Sequence, residues 1–311
     1  GMLDAKRLAA ARPGLRIVNV ARGGIIVEDD LADAVRSGHV AGAALDVFAS
    51  EPTTESPLFD LDNVIVTPHL GASTTEAQDK AGDVIADMVL LALAGDFVPF
   101  AVNVEAAEVP ETVRPYLGLA DDLGRIFAGL VGDNTPALEI EMCGQIAEHD
   151  TRLLALSAQK GFFGAVTGQP VSYVNAPQIA EQQGIELRTV TCTDPVDYLS
   201  RITLSGGGHS VSGALVGLQH VPKVVGMDDH TVDITVASHM LVIHNRDVPG
   251  RIGFVGGVLG EAAVNIEDMN VGKNPSGEGS LMVVTTTQST PPDVVEALRK
   301  GEGIESVRSV G

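Results

Sequence analysis

Val18-Asn19-Val20-Ala21-Arg22-Gly23-Gly24 decides the reading of the opening segment. It ends an apolar, Val- and Ile-bearing run, residues 15–21, at a glycine pair. Residues 28–37 then read as a helix, with Leu31, Ala34 and Val35 on one face and Gly38 as its stop. Residues 40–47 and 63–67 are two further short apolar runs. Runs without polar alternation suit strands buried on both faces, hence a parallel sheet. Ser73 or Thr74 can cap a long helix reaching about Ala94, with Ala77, Ala81, Val84, Ile85, Met88 and Leu91 on one face. The alternation gives an α/β unit, the last part of a doubly wound parallel sheet, over residues 1–104.

Residues 97–110 read as a linker, with two prolines and the acidic Glu105, Glu108 and Glu111. The pattern then changes to an α+β unit over residues 105–236. Helices are expected at 112–130, 150–162 and 178–183, and strands at 137–142, 186–192, 198–204, 210–218, 223–227 and 231–236. A third unit, 237–311, has strands at 239–245, 264–273, 280–287 and 304–309, with helices at 250–262 and 292–300. The order βαββαβ is the ferredoxin-like split unit.

With 311 residues, 44% of them hydrophobic and 20% charged, the chain has material for more than one core and is no disordered polymer. Its formal charge of −21 argues against nucleic acid as a partner, because phosphates call for a basic stripe. Any anion site must therefore use locally placed Arg, Lys or backbone N–H groups. Cys143 and Cys192 are isolated in sequence, with no metal-ligand spacing and no disulfide framework, which makes a reducing cytoplasm the default. The uncharged runs at 161–180 and 202–222 are interrupted by Gly, Ser, Gln, His and Pro and do not read as membrane spans.

Arg22, Glu51 and His69 each follow an apolar run and are flanked by Gly or Pro. In open α/β sheets ligands bind at the carboxyl ends of strands, so these side chains can converge on one small anion. Guanidinium matches a carboxylate as a two-pronged donor, and imidazole exchanges a proton near neutral pH. A carboxylate bonded to the ring fixes its tautomer. Asp46, at the tip of the second run, can hold a polar group of a cofactor ring.

The stretches VNVARGGIIVEDDL (18–31), AGAALDVFASEP (41–52) and NVIVTPHLGAST (63–74) resemble the NAD-dependent D-2-hydroxyacid dehydrogenases. The resemblance implies a partial Rossmann domain in which Arg22 binds the substrate carboxylate, His69 is the acid/base and Glu51 tunes it. It also implies that Asp46 meets the nicotinamide end of NAD, with Val20, Ala21, Leu70, Gly71 and Ala72 along the same ring. The family's G-x-G-x-x-G loop does not precede the Arg motif. The expectation is therefore a C-terminal portion of a longer enzyme, inactive alone.

Residues 244–273, HNRDVPGRIGFVGGVLGEAAVNIEDMNVGK, resemble an ACT domain, a module that commonly binds amino acids. Asp247 can accept from an ammonium, the helix start at 250–253 can donate to a carboxylate, and Asn245 or Asn265 can bond a side chain. The three-part order is similar to the long members of the family, which oxidise 3-phosphoglycerate at the head of serine synthesis. That resemblance implies L-serine as effector, a homo-oligomer, and an anion site in the middle unit from Arg201, Lys223 and Arg246. No metal is expected. The alternatives are a regulatory or assembly module without catalysis, and a dehydrogenase for another D-2-hydroxy acid.

Overall fold

The computed structural model describes residues 1–102, 110–132, 135–194, 197–274 and 279–310. Half of the expected linker, including Glu105 and Glu108, lies outside them. The contacts divide the chain into two compact units, Gly1–Leu90 and Leu91–Gly311.

In the first unit, β1 (Leu15–Asn19), β2 (Val40–Leu45) and β3 (Val64–Val66) form a parallel sheet in that order. The crossover from β1 to β2 is α2 (Glu28–Arg36), which buries Leu31, Ala32 and Val35. Its first turn carries Glu28, Asp29 and Asp30, which suit the positive end of the helix dipole. Burying a leucine such as Leu31 contributes about 2–3 kcal/mol. A short helix absent from the sequence reading, α1 (Ala5–Ala10), is capped by Asp4 and adds Leu8 to the same core. Ile17, Leu45, Phe48 and Leu58 complete that core.

Thr74 caps the long helix α3 (Thr75–Ala94), its hydroxyl accepting from the Ala77 N–H at 3.2 Å. Contrary to the sequence reading, α3 buries no residue: Val84 and Ile85 are exposed, as are Val18, Val20 and Ile65 around the sheet. The apolar pattern is present, but among the described residues no element covers it.

In the second unit, α4 (Tyr116–Val131) precedes β4 (Ala137–Gly144) and a 3-10 turn at Gln145–Glu148. Helices α5 (Arg152–Thr167) and α6 (Ala176–Gln183) lead to β5 (Glu186–Cys192), which pairs with β4 in parallel. A meander follows: β6 (Ser200–Gly206), β7 (His209–Val216), β8 (Val221–Met227) and β9 (His230–Thr235). The tail is β10 (Met240–Asn245), α7 (Arg251–Glu261), β11 (Ile266–Lys273), β12 (Ser280–Thr286), α8 (Pro292–Arg299) and β13 (Ile304–Val310), the expected βαββαβ unit.

All ten of these strands belong to one sheet, ordered β13-β10-β12-β11-β9-β8-β7-β6-β4-β5. The tail joins the meander through the pair Lys273–Thr231. Gly272 makes that junction possible, since a Cβ there would stand 2.7 Å from Val232 Cγ1 and 3.0 Å from the Thr231 carbonyl. One core runs through both segments, from Leu123 and Phe127 of α4 to Val242, Val283 and Val310 of the tail. Opposite it, α7 and α8 cover Leu241, Ile243 and Val284. The helices α4 and α5 meet backbone to backbone, because Gly124 and Gly161 carry no Cβ to hold them apart.

A polar knot ties the meander to the tail. Asp228 Oδ2 lies 2.8 Å from His209 Nδ1 and 3.2 Å from His244 Nε2, while Oδ1 accepts from the Ser210 N–H at 2.9 Å. Burial alone would raise the Asp228 carboxyl; the bonds to His244, Ser210 and His209 outweigh it and hold the group below the ordinary value.

The cysteine reading is corrected by the sheet. Cys143 and Cys192 stand opposite each other on β4 and β5, with Cα atoms 4.6 Å apart, and form a disulfide. Their separation of 49 in sequence hid a pairing made by strand register.

Candidate active site and effector cavity

The loop after β1 is shaped by Asn19, a residue that the sequence reading did not single out. Its buried Oδ1 accepts from the Ala21 N–H at 3.1 Å, and its Nδ2 donates to the Arg22 carbonyl at 3.0 Å. An Asn opening a turn is a recognisable signal, because its short amide bonds the backbone two residues on. Gly23 then passes so close to the β2 loop that a Cβ would sit 1.7 Å from the Phe48 carbonyl oxygen. These contacts lodge the Arg22 loop against the segment that carries Glu51.

Glu51 and His69 do meet. His69 Nδ1 lies 2.7 Å from Glu51 Oε2, and Glu51 Oε1 accepts from the Phe48 N–H at 2.9 Å. The Phe48 amide and then His69 hold the Glu51 carboxyl below its ordinary range. The pair is half-exposed and open to a ligand. Arg22 is not joined to it: its Nη1 donates to the carbonyl of its neighbour Ala21 at 2.8 Å. Only Glu51 and His69, of the three expected to converge, are in contact.

Asp46 turns inward. It is 4% exposed, and it accepts from the Thr67 hydroxyl, from the Leu70 N–H at 2.8 Å and from the Gly71 N–H at 2.8 Å. Those bonds, the Thr67 hydroxyl foremost, lower its carboxyl. The sequence reading aimed Asp46 at a cofactor ring; in the structure its bonds go to the His69 loop. His69 has φ +57°, which a side-chain-bearing residue adopts at a cost, and the two amides bound by Asp46 follow it directly. Val20 and Leu70 are well exposed, while Ala21, Gly71 and Ala72 complete the two loops.

In the tail, a cavity of about 290 Å³ is lined by Asn245, Asp247, Gly250, Arg251, Ser280 and Met282, among others. The Asn245 Oδ1 is buried there with no hydrogen-bond partner among the described residues, an acceptor waiting for a donor. Gly250, at φ +93°, turns the chain into α7, so the helix start faces the same cavity. Asn265 is not part of it. It is exposed beyond the end of β11 where Ile266 pairs with Thr286, whereas Val271 of that strand is the residue that lines the cavity.

The anion site expected of Arg201, Lys223 and Arg246 does not assemble either. Arg201 pairs with Glu141 at 3.5 Å, Lys223 pairs with Asp233, and Arg246 is exposed on the tail. A chain with twice as many acids as bases supplies a carboxylate to most cations it presents.

Residues 1–71 match the NAD-binding domain of the D-isomer specific 2-hydroxyacid dehydrogenases. Residues 112–227 match the D-3-phosphoglycerate dehydrogenase intervening domain, and residues 239–300 the ACT domain. The D-3-phosphoglycerate dehydrogenase of Mycobacterium leprae is 42% identical over 303 residues, which are 96% of this chain and 57% of that protein. Over nearly its whole length the chain is thus similar to D-3-phosphoglycerate dehydrogenases. The D-3-phosphoglycerate dehydrogenases of Synechocystis and Bacillus subtilis are 34% and 31% identical over 316 residues each, covering 99% and 100% of this chain. This chain spans 57% and 60% of their lengths.

Proposed function

We propose that this chain carries the carboxylate-binding and acid–base part of an NAD-dependent site for oxidising 3-phosphoglycerate, together with an amino-acid effector module. The contact that carries the reading is His69 Nδ1 on Glu51 Oε2 at 2.7 Å, with Glu51 itself anchored by the Phe48 N–H. Glu51 keeps the proton on Nδ1, which leaves Nε2 free to take the proton of a substrate hydroxyl. Arg22 uses one donor on Ala21, so the rest of its guanidinium is available to a substrate carboxylate once the exposed side chain swings outward. Val20 and Leu70 offer apolar surface that fits one face of a nicotinamide ring, with Gly71 and Ala72 beside it. When bound, NAD accepts the carbon-bound hydrogen of the substrate as hydride. Asp46 acts one step back, holding the His69 loop in place. The exposed apolar residues around the sheet, Val18 and Ile65, suit cover by the further sequence that the longer relatives possess.

The tail cavity fits a small amino acid. Asp247 takes the ammonium, the α7 start takes the carboxylate, and the unpartnered Asn245 Oδ1 takes a hydroxyl or ammonium hydrogen. L-serine is the effector proposed on that basis. A homo-oligomer is proposed as well, since β5 and β13 end the sheet and leave strand edges to pair. As to location, no helix among the described residues is long and apolar enough to cross a membrane.

Two measurements test these readings. In the longest form of the protein that carries this sequence, 3-phosphoglycerate should drive NADH formation, and His69→Gln should slow it by about 10²–10⁴-fold. Turnover that survives the substitution would remove His69 from the chemistry. Calorimetric titration of this chain should show L-serine binding in preference to glycine and L-alanine, lost in Asp247→Ala. Equal heats for all three amino acids would reject the serine assignment.

A further inference from the structure

We propose that Cys143 and Cys192 are a reversible dithiol–disulfide pair, a site of exchange with low-molecular-weight disulfides that fastens the edge strand β5 to β4. The two residues are direct partners in the parallel register, and a Cα separation of 4.6 Å falls within the range a disulfide spans. Reduction does not remove what brings them together. Six further residue pairs, from Ala137–Glu186 to Met142–Thr191, hold the same two strands. Both oxidation states are therefore compatible with the fold, and exchange needs no unfolding.

The two sulfurs differ in access. Cys143 is 3% exposed and lies inside the sheet, between β5 and β6. Cys192 is half-buried at the end of β5, the last strand of the sheet, where Val190 is 40% exposed. Glu141 lies within 4.8 Å of both sulfurs, and its carboxylate alone would disfavour a thiolate. Arg201 offsets that charge, pairing with Glu141 at 3.5 Å from the strand position opposite Cys143.

The chemistry balances with a named co-reactant. The Cys192 thiolate attacks one sulfur of a low-molecular-weight disulfide RSSR, releasing one RSH and leaving a Cys192–S–S–R mixed disulfide. The Cys143 thiolate then displaces the second RSH and closes the bridge. In sum, two protein thiols and RSSR give the protein disulfide and two RSH. The reverse path opens it, with the incoming thiolate attacking the accessible Cys192 sulfur and Cys143 leaving. Closure joins residues 49 apart, across α5 and α6, and so constrains the unfolded chain more than the folded one.

The test is equilibration of the native protein with reduced and oxidised glutathione over a range of ratios, followed by alkylation and intact-mass measurement. The expected result is a smooth, reversible passage from two alkylated thiols to none. The oxidised form should also melt several degrees above the reduced one, and Cys143→Ser/Cys192→Ser should melt alike under both conditions. Cys192→Ser alone, which keeps the buried thiol, should show no alkylation change between the two glutathione extremes. Several results would overturn the proposal. They are two thiols that stay free in fully oxidised glutathione, and a glutathione adduct on Cys192 that never closes. A bridge that opens only after denaturation, or a stoichiometric zinc ion that the reduced pair holds and that blocks closure, would do the same.

Discussion

Gly23→Ala is expected to part the Arg22 loop from the segment bearing Glu51. A Cβ at this position would stand 1.7 Å from the Phe48 carbonyl oxygen and 2.2 Å from its carbon. Carbon–oxygen contacts close to about 3.3 Å, so one of the two backbones must retreat by about 1.6 Å. Phe48 resists that movement. Its N–H is held by Glu51 at 2.9 Å, its residue is 9% exposed, and its ring packs edge-on against Phe59 with centroids 5.8 Å apart. Overpacking of this kind costs about 1–3 kcal/mol. The assay is amide hydrogen exchange across β1, β2 and Phe48, where that cost reads as roughly fivefold to 150-fold faster exchange. Gly24→Ala is the control: at φ +75°, with nothing within 4 Å of its Cβ, it adds backbone strain without a clash. Gly23→Ala should loosen the Phe48 amide and Gly24→Ala should not. Unchanged protection at Phe48 in Gly23→Ala would refute the claim that this glycine locks the two loops together.

Further outcomes follow from other contacts. Asp46 and Glu51 both have lowered folded-state values against ordinary ones of 3.8 and 4.5, so their stabilisation is present above those values and lost as pH falls through the depressed ones. Protection factors at the Leu70 and Gly71 amides, taken against intrinsic exchange at each pH, should therefore fall as the pH drops below 3.8, and a flat profile there would contradict the Asp46 contacts. Asp228→Asn keeps an amide shape suited to the left-handed φ of +44° but removes the charge shared by His209 and His244. It should cost about 2 kcal/mol by urea unfolding, and a neutral effect would mean the knot adds nothing. Gly161→Ala would place a Cβ 1.9 Å from the Asp121 carbonyl oxygen and should lower the melting temperature by several degrees through a loss of about 1–3 kcal/mol. A melting temperature equal to that of the parent chain would show that α4 and α5 can slide apart freely.

Much of this fold was legible because its local signals agree with its long-range contacts. The apolar runs became β1, β2 and β3 within a residue or two, Thr74 caps α3, and the tail has the expected βαββαβ order. The meeting of Glu51 and His69 was readable too, since each closes a motif that follows a strand. Other features had no local signal. Thr67 joins Asp46 through a hydroxyl that sequence alone leaves without a partner. Asn265 looked like a neighbour of Asp247 because both flank helix α7, yet the antiparallel strands carry it to the far end of β11.

Residue periodicity thus determined by itself most of the strands and helices, though not the short α1, because burial on one or both faces leaves its mark within a few positions. Motif spacing likewise placed Arg22, Glu51 and His69 in the loops that follow the three strands. The tertiary structure alone decided which ends meet and which way each side chain turns. Strand register set Cys143 against Cys192, bound the meander and the tail into one sheet, and turned Asp46 from the expected cofactor towards the His69 loop. Register is a property of pairs of distant segments, so no window along the chain contains it.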